Sequence, residues 1–364
     1  MHTKPGAAPK RKESLTPTQV PLPTDAFSGY HRFFMRKAVL IYNPSSGRAH
    51  KDRARHIEAA ADVLRAAGVD AKPVPTLGPG CAGNQAREEI AAGADTVFAC
   101  GGDGTIHEVL QGMIGTGATL GVIPLGTANA LACDMKIPRD PAAAARFALS
   151  AEPRSTAVGK LEYACKFGEC LSRYFIVAVG VGADARLAYM LSAEFKRNHG
   201  MAAYYAKATH IWATHDFPPF EVEFNDLERG ATRSELVSEV LAIRITDFGG
   251  ILKRMAPRAE LKRDDLELVL FKTARKTDYL RFVANNMLGR CRPMPGIEFV
   301  RSDRLECRQA NTGRIAAEWT RKFKPSPIYV EADGESLGRT PSKIIAIPNA
   351  VKLFHSPSVR DVFR

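Results

Sequence analysis

The sequence predicts an α/β domain, a parallel sheet with helices on both faces, followed by a β-rich domain. Three observations lead there. Short apolar runs alternate with helical patterns from residue 37 to about 152, the arrangement of a parallel sheet wrapped by helices. Three polar, glycine-containing loops, 43–47, 101–105 and 124–129, each directly follow one of those runs and gather on one sheet edge. After about residue 155 the predicted strands become neighbours in sequence, which favours antiparallel pairing.

Residues 1–36 read as an unfolded leader, rich in Pro, Lys, Thr and Ala with no apolar period. Lys37–Tyr42 is an apolar, β-branched run, hence a buried strand, broken by Asn43-Pro44-Ser45-Ser46-Gly47. Residues 51–67 place Ile57, Ala60, Ala61 and Leu64 on one helical face, and Gly68 stops that helix. "DAKPVPT" and "ADTVFAC" are the next strands, with the helix "NQAREEIAAG" between them. A helix from Thr105 to about Ile114, the strand "ATLGVIPLG" and helices at "TANALACDM" and "PAAAARFALSA" complete the first domain. Beyond it, "RYFIVAVGVGADA", "FEVEFND", "SELVSEVLAIRIT", "DLELVLFKT", "RSDRLECR" and "IYVEADGE" read as strands. Helices are expected at 200–215 and 276–288, and a polar insertion or long loop at 308–325. The division is therefore a leader at 1–36, an α/β domain at 37–155, a β-rich domain at 156–345, and a segment at 346–364 returning to the first domain.

Composition is that of a globular protein, 45% hydrophobic and 25% charged, with no run near the roughly 18 apolar residues of a membrane span. No apolar stretch at the N-terminus marks the chain for export, and the seven scattered cysteines read as reduced thiols, so a cytoplasmic location is expected. A net charge of +12 fits either a solvated basic surface or a polyanionic partner. No nucleic-acid-binding motif accompanies it.

"ACGGDGTIHEVLQG" at 99–112 carries the chemistry. A strand ending in Gly101-Gly102-Asp103-Gly104 and feeding a helix lets backbone N–H groups approach an anion without Cβ interference. The alternative is a tight strand–helix turn in which glycine only relieves sterics. Asp103 would repel phosphate unless a bridging Mg²⁺ or a nucleotide hydroxyl intervenes, and Thr105 offers a cap and a hydroxyl. The pattern is neither Walker A nor GxGxxG, which disfavours a P-loop or a dinucleotide-binding Rossmann site. Gly126, Thr127 and Asn129 of "PLGTANALA", with Asn43, repeat polar loop chemistry on the same edge.

"NPSSG", "GGDGTIHEV", "PLGTANALA" and the distal "VEADGESLGRTP", in this order, make the chain resemble the diacylglycerol kinase catalytic family, with its bacterial lipid kinases, diacylglycerol kinases and sphingosine kinases. The resemblance spans about residues 37–357. It implies an α/β first domain of the NAD kinase and phosphofructokinase type, a β-sandwich second domain, and ATP- and Mg-dependent phosphorylation of a lipid hydroxyl in the cleft between them. Carried over, Gly101, Gly102, Asp103, Gly104, Thr105, Ile106 and His107 hold ATP phosphates, with Asp103 also toward Mg²⁺. Gly126 and Thr127 belong to the second nucleotide loop, which Asn129 supports, and Asn43 and Thr76 match nucleotide-side positions. Asp333 matches the proposed general base, with Glu335 beside it. Without the family, Asp333-Gly334 reads as a hairpin turn.

This chain departs from the family in places. Asp247 and Phe248 of "TDFGGILKRMAPRAEL" stand where many relatives have a glycine-rich Asn-x-x-x-Gly-Gly-Gly segment. Arg263-Asp264-Asp265-Leu266-Glu267 lacks the Asp-Gly that accompanies a structural Mg²⁺ in some relatives, so that metal is not carried over and a solvated acidic turn is expected. His107 replaces an Asn common in bacterial members.

The expected partner is a lipid, diacylglycerol or a related one, at an anionic membrane surface, reached by peripheral docking, with a homodimer admitted and nucleic acid excluded. Cations from Lys253 to Arg292 crowd one region, and Tyr279, Phe282, Val283 and Met287 share a helical stripe that reads as core packing or as membrane contact. The alternatives are a soluble-metabolite kinase of the NAD kinase type and a non-catalytic lipid- or nucleotide-binding regulator.

Overall fold

The computed structural model describes residues 35–44, 52–165, 168–183, 216–249, 254–311 and 326–356, with a few single positions between them. The leader up to 34, most of the 200–215 and 308–325 segments, and Gly47 lie outside the described residues. Met35, placed in the leader by sequence, is buried in the first core.

The first domain alternates as expected: β1 (Lys37–Tyr42), α1 (Arg53–Ala66), β2 (Asp70–Pro75), α2 (Ala82–Ala91), β3 (Thr96–Gly101), α3 (Asp103–Met113), β4 (Thr119–Pro124), α4 (Ala130–Asp134) and α5 (Pro141–Ser150). The four strands are parallel in the order β4-β3-β1-β2. Every residue of β3 and β4 is buried, the run of apolar residues that a strand covered on both faces requires. α5 starts cleanly because the Asp140 side chain accepts from the Ala143 amide at 2.7 Å and Pro141 opens the helix. The reversal of strand order between β1 and β3 makes the carboxyl ends of these strands the place where a ligand sits.

The second half is antiparallel: β5 (Glu152–Ala164), β6 (Cys170–Phe175), β7 (Ala178–Gly182), β8 (Phe220–Asp226), β9 (Ala231–Val237), β10 (Glu239–Ile243), β11 (Leu266–Phe271), α6 (Lys276–Met287), β12 (Ile297–Ser302), β13 (Arg304–Gln309), β14 (Tyr329–Ala332) and β15 (Glu335–His355). Three strands expected to be continuous are each split. Bends at Ile176–Val177, Ser238 and Asp303 separate β6 from β7, β9 from β10, and β12 from β13.

The 13-residue β5 and the 21-residue β15 pair along nearly their whole length, and Lys352 and Leu353 of β15 also lie parallel to Thr119 and Leu120 of β4. This ribbon crosses positions 155 and 345, so both halves of the molecule share it. One core fills the α/β unit, a second lies between the sandwich layers, and a third lies beneath α6, where Phe271, Tyr279, Phe282 and Phe299 pack.

Candidate active site

The glycines of the first two loops answer to one another. A Cβ on Gly126 would sit 2.4 Å from the Gly102 Cα, and one on Gly102 would meet the Gly126 Cα at 3.2 Å. Only two glycines allow these backbones to touch. A Cβ on Gly101 would collide with the Thr105 side chain, so Thr105 lies folded against the strand end. Asp103 locks the pair of loops: its Oδ2 accepts from the Asn129 amide at 2.9 Å and its Oδ1 from the Ala130 amide at 2.8 Å. The aspartate therefore opens α3 and caps α4 at once. Burial pushes its carboxyl above the ordinary range, opposed by those two amides. Asn129 holds a left-handed backbone, φ 54°, and its side chain both accepts from the Gly126 amide and donates to the Gly126 carbonyl.

The opposite wall comes from the far end of the chain. Ala332 pairs with Glu335, so Asp333 and Gly334 form a two-residue turn with φ of 49° and 84°, the positive angles of a type I′ hairpin. The Asp333 side chain is 2% exposed. Its Oδ1 accepts from the Val177 and Ala178 amides at 2.9 and 3.1 Å, and its Oδ2 from the Ile176 amide at 3.0 Å. His107 Nδ1 lies 3.3 Å from Oδ2. This carboxylate pins the β6–β7 bend to α3. Glu335 differs: it is exposed, and its Oε1 lies 3.1 Å from where a Cβ on Gly104 would project. The free acid facing the glycine loop is Glu335.

Two features near the site escaped sequence reading. Arg53, first residue of α1, is 4% exposed; among the described residues its Nε and Nη1 have no hydrogen-bond partner, and Nη2 reaches the Leu125 carbonyl at 3.5 Å. Burial lowers its affinity for its proton. Two buried donors without a partner beneath the second loop would suit an anion. A cleft of about 290 Å³ also runs along the polar face of α3 from His107 past Glu108 to Gln111, walled by Gly80, Asn84, Arg87 and Arg173.

The remaining positions sort clearly. Asn43 is half-buried at the end of β1, and the Thr76 amide donates to the Tyr42 carbonyl at 2.8 Å, so both close the same edge. Gly126 and Thr127 are exposed there. Ile106 is 2% exposed within the first core and its amide is bonded to the Gly102 carbonyl, so it supports the loop from below and is not free to touch a phosphate.

Asp134 at the end of α4 accepts from the Thr246 and Asp247 amides, both at 2.9 Å, tying these two residues to the first domain. Of the acids at 263–267, Asp264 is exposed in a bend as expected, but the other two are not solvated. Asp265 pairs with Arg263 and Arg301, and the buried Glu267 with Arg258, because the neighbouring strands bring cations to them. Arg244, fully buried, donates to the carbonyls of Leu261, Arg263 and Asp265 at 3.0–3.1 Å, so a guanidinium gathers this loop. Among the described residues no group of three or more His, Cys, Asp or Glu is arranged to hold a metal ion.

Residues 37–161 match the diacylglycerol kinase catalytic domain, and residues 177–355 match the YegS C-terminal NAD kinase beta sandwich-like domain. The chain belongs to the diacylglycerol kinase family of lipid kinases. It is 26% identical over 313 residues to a diacylglycerol kinase of Bacillus subtilis, covering 85% of this chain and 93% of the relative. It is 22% identical over 330 residues to one from Staphylococcus epidermidis, covering 90% and 94%. A crystal structure of a diacylglycerol kinase from Bacillus anthracis superposes with a TM-score of 0.65 at 21% identity, over 90% of this chain and 99% of that one, so the fold is the same. In this lipid kinase the Gly102–Gly126 contact forms one wall of the site and the hairpin that carries Glu335 forms the other. No helix among the described residues is long and apolar enough to cross a membrane.

Proposed function

We propose that this lipid kinase transfers the γ-phosphate of ATP to a hydroxyl of diacylglycerol or a close relative, with Glu335 as the general base. The observation that carries the reading is the exposed Glu335 carboxylate poised over Gly104 while the buried Asp333 accepts from three backbone amides. Phosphoryl transfer depends mostly on positioning and charge neutralisation. The touching glycine loops at the start of α3 suit a triphosphate, and Arg53 supplies buried donors that lack a partner among the described residues. The cleft lined by Gly80, Asn84 and His107 suits the nucleoside. Asp103, a carboxylate at the glycine loop, would be the residue to hold a Mg²⁺ ion, which would supply neutralisation of phosphate charge. Glu335 then takes the proton from the acceptor hydroxyl. Asp333 and His107 position the wall that carries Glu335.

The test is a labelled-ATP assay against diacylglycerol, sphingoid base, ceramide and phosphatidylglycerol in mixed micelles, with NAD in free solution as a further acceptor. Labelled lipid that requires Mg²⁺ and Glu335 supports the reading. Labelled NAD with no labelled lipid overturns it.

A further inference from the structure

The stripe on α6 divides in two. Tyr279 and Phe282 point into the third core, where the Tyr279 ring stacks 4.6 Å from Phe271 and Phe282 meets it edge-on at 5.1 Å. The opposite side carries Leu280, Val283, Met287 and Leu288, exposed by 53, 38, 57 and 67%. Leu280, Val283 and Met287, spaced three and four residues apart, share one outer face of the helix, and Leu288 follows directly after it. Most of the large exposed apolar side chains among the described residues are on this helix and the turn after it. Arg275, Lys276, Arg281, Arg290 and Arg292 lie on α6 or directly flank it in sequence, with Lys276 donating to the Ala213 carbonyl and Arg281 to Asp278. The only acid between 275 and 292 is Asp278, which is buried and bonded to Thr273. A protein partner for such a patch would need a matching acidic rim around an apolar centre. A bilayer with anionic headgroups offers both at once, apolar chains beneath a negative plane.

We infer that the outer face of α6 is a docking surface for an anionic lipid bilayer, with Leu280, Val283, Met287 and Leu288 entering the headgroup region and the arginines meeting the lipid phosphates. This extends the lipid-kinase reading by naming the surface through which the enzyme meets its substrate's membrane. It also gives a reason for an exposed apolar face on a helix that is otherwise well anchored.

Co-sedimentation with vesicles tests it without ATP, using the full chain. The native protein binds vesicles containing phosphatidylglycerol, binds pure phosphatidylcholine vesicles at least tenfold more weakly, and releases as salt rises. Leu280→Glu with Met287→Glu lowers binding to phosphatidylglycerol vesicles at least tenfold. Leu227→Glu, at an exposed leucine elsewhere, leaves it unchanged. Circular dichroism and melting show that both proteins are folded. The double variant keeps its rate on a short-chain acceptor in free solution, which separates docking from catalysis: loss of that rate in the native protein would count against the kinase reading alone. Equal vesicle binding by the native protein and the double variant overturns the inference. So does a native dimer that the double variant dissolves, because the face then belongs to a second copy.

Discussion

Asp333→Asn separates a positioning carboxylate from a base. The side chain keeps its shape, but only one of its two terminal atoms remains an acceptor. With that oxygen toward Val177 and Ala178, two charge-assisted bonds become neutral ones, and the new NH₂ faces the Ile176 amide, donor against donor. Bonds to a charged group contribute about 1.5–3 kcal/mol each, and a buried donor left unpaired costs about 1–3 kcal/mol. Weakening two and losing one gives roughly 3–5 kcal/mol, a large part of the ~5–15 kcal/mol that holds a domain together. For a domain of this size that lowers Tm by about 10 °C. Thermal melting followed by circular dichroism reads it, with ATP binding measured below the transition. A variant that melts within about 2 °C of the native protein and has lost all phosphoryl transfer would refute the positioning role and restore Asp333 as the base.

Arg244→Met strands three carbonyls of the 261–265 loop and is expected to lose at least about 3 kcal/mol of stability. Because the cation here is a side chain, EDTA leaves the melting curve of the native protein unchanged; a fall of several degrees would mean that a divalent ion holds this loop. His355, buried beside the Thr156 hydroxyl at 3.1 Å, is held below the ordinary histidine range by burial first and by Lys262 and Arg154 second. Its unfolded form, near about 6.5, therefore takes up a proton first as pH falls. The stability it contributes is present above that value and is lost on the way down to its folded pKa, by at most about 1.4 kcal/mol per pH unit. His355→Gln should flatten the Tm profile over that acidic window; an unchanged profile would mean that His355 is not the titrating group.

What was legible follows from what is local. Continuous apolar runs such as Thr96–Gly101 mark buried parallel strands, and glycines packed at a strand end mark a close approach, though the object approached by Gly102 is first of all Gly126. Asp333-Gly334 is both of the things its sequence allowed, a hairpin turn and part of the site wall. Which of Asp333 and Glu335 is the more tied down by backbone amides is not written in a motif. That depends on the amides of 176–178, far away in sequence. Arg53 was invisible for a similar reason: among 51 Lys and Arg residues, only burial without a partner distinguishes it. The long β5–β15 ribbon was missed because "SLGRTPSKIIAIPNAVKLFH" is broken by Pro and Gly and is straightened by pairing with a distant strand.

Removal of the lipid hydroxyl proton by Glu335, over the glycine loop, is the step on which the mechanism stands. Single-turnover transfer from labelled ATP to diacylglycerol isolates that step, with Glu335→Gln run against the native enzyme and nucleotide affinity measured in parallel. The expected rate for the variant is about 10²–10⁴-fold lower, with ATP affinity within about twofold of native. A Glu335→Gln enzyme that turns over at the native rate would remove Glu335 from the chemistry.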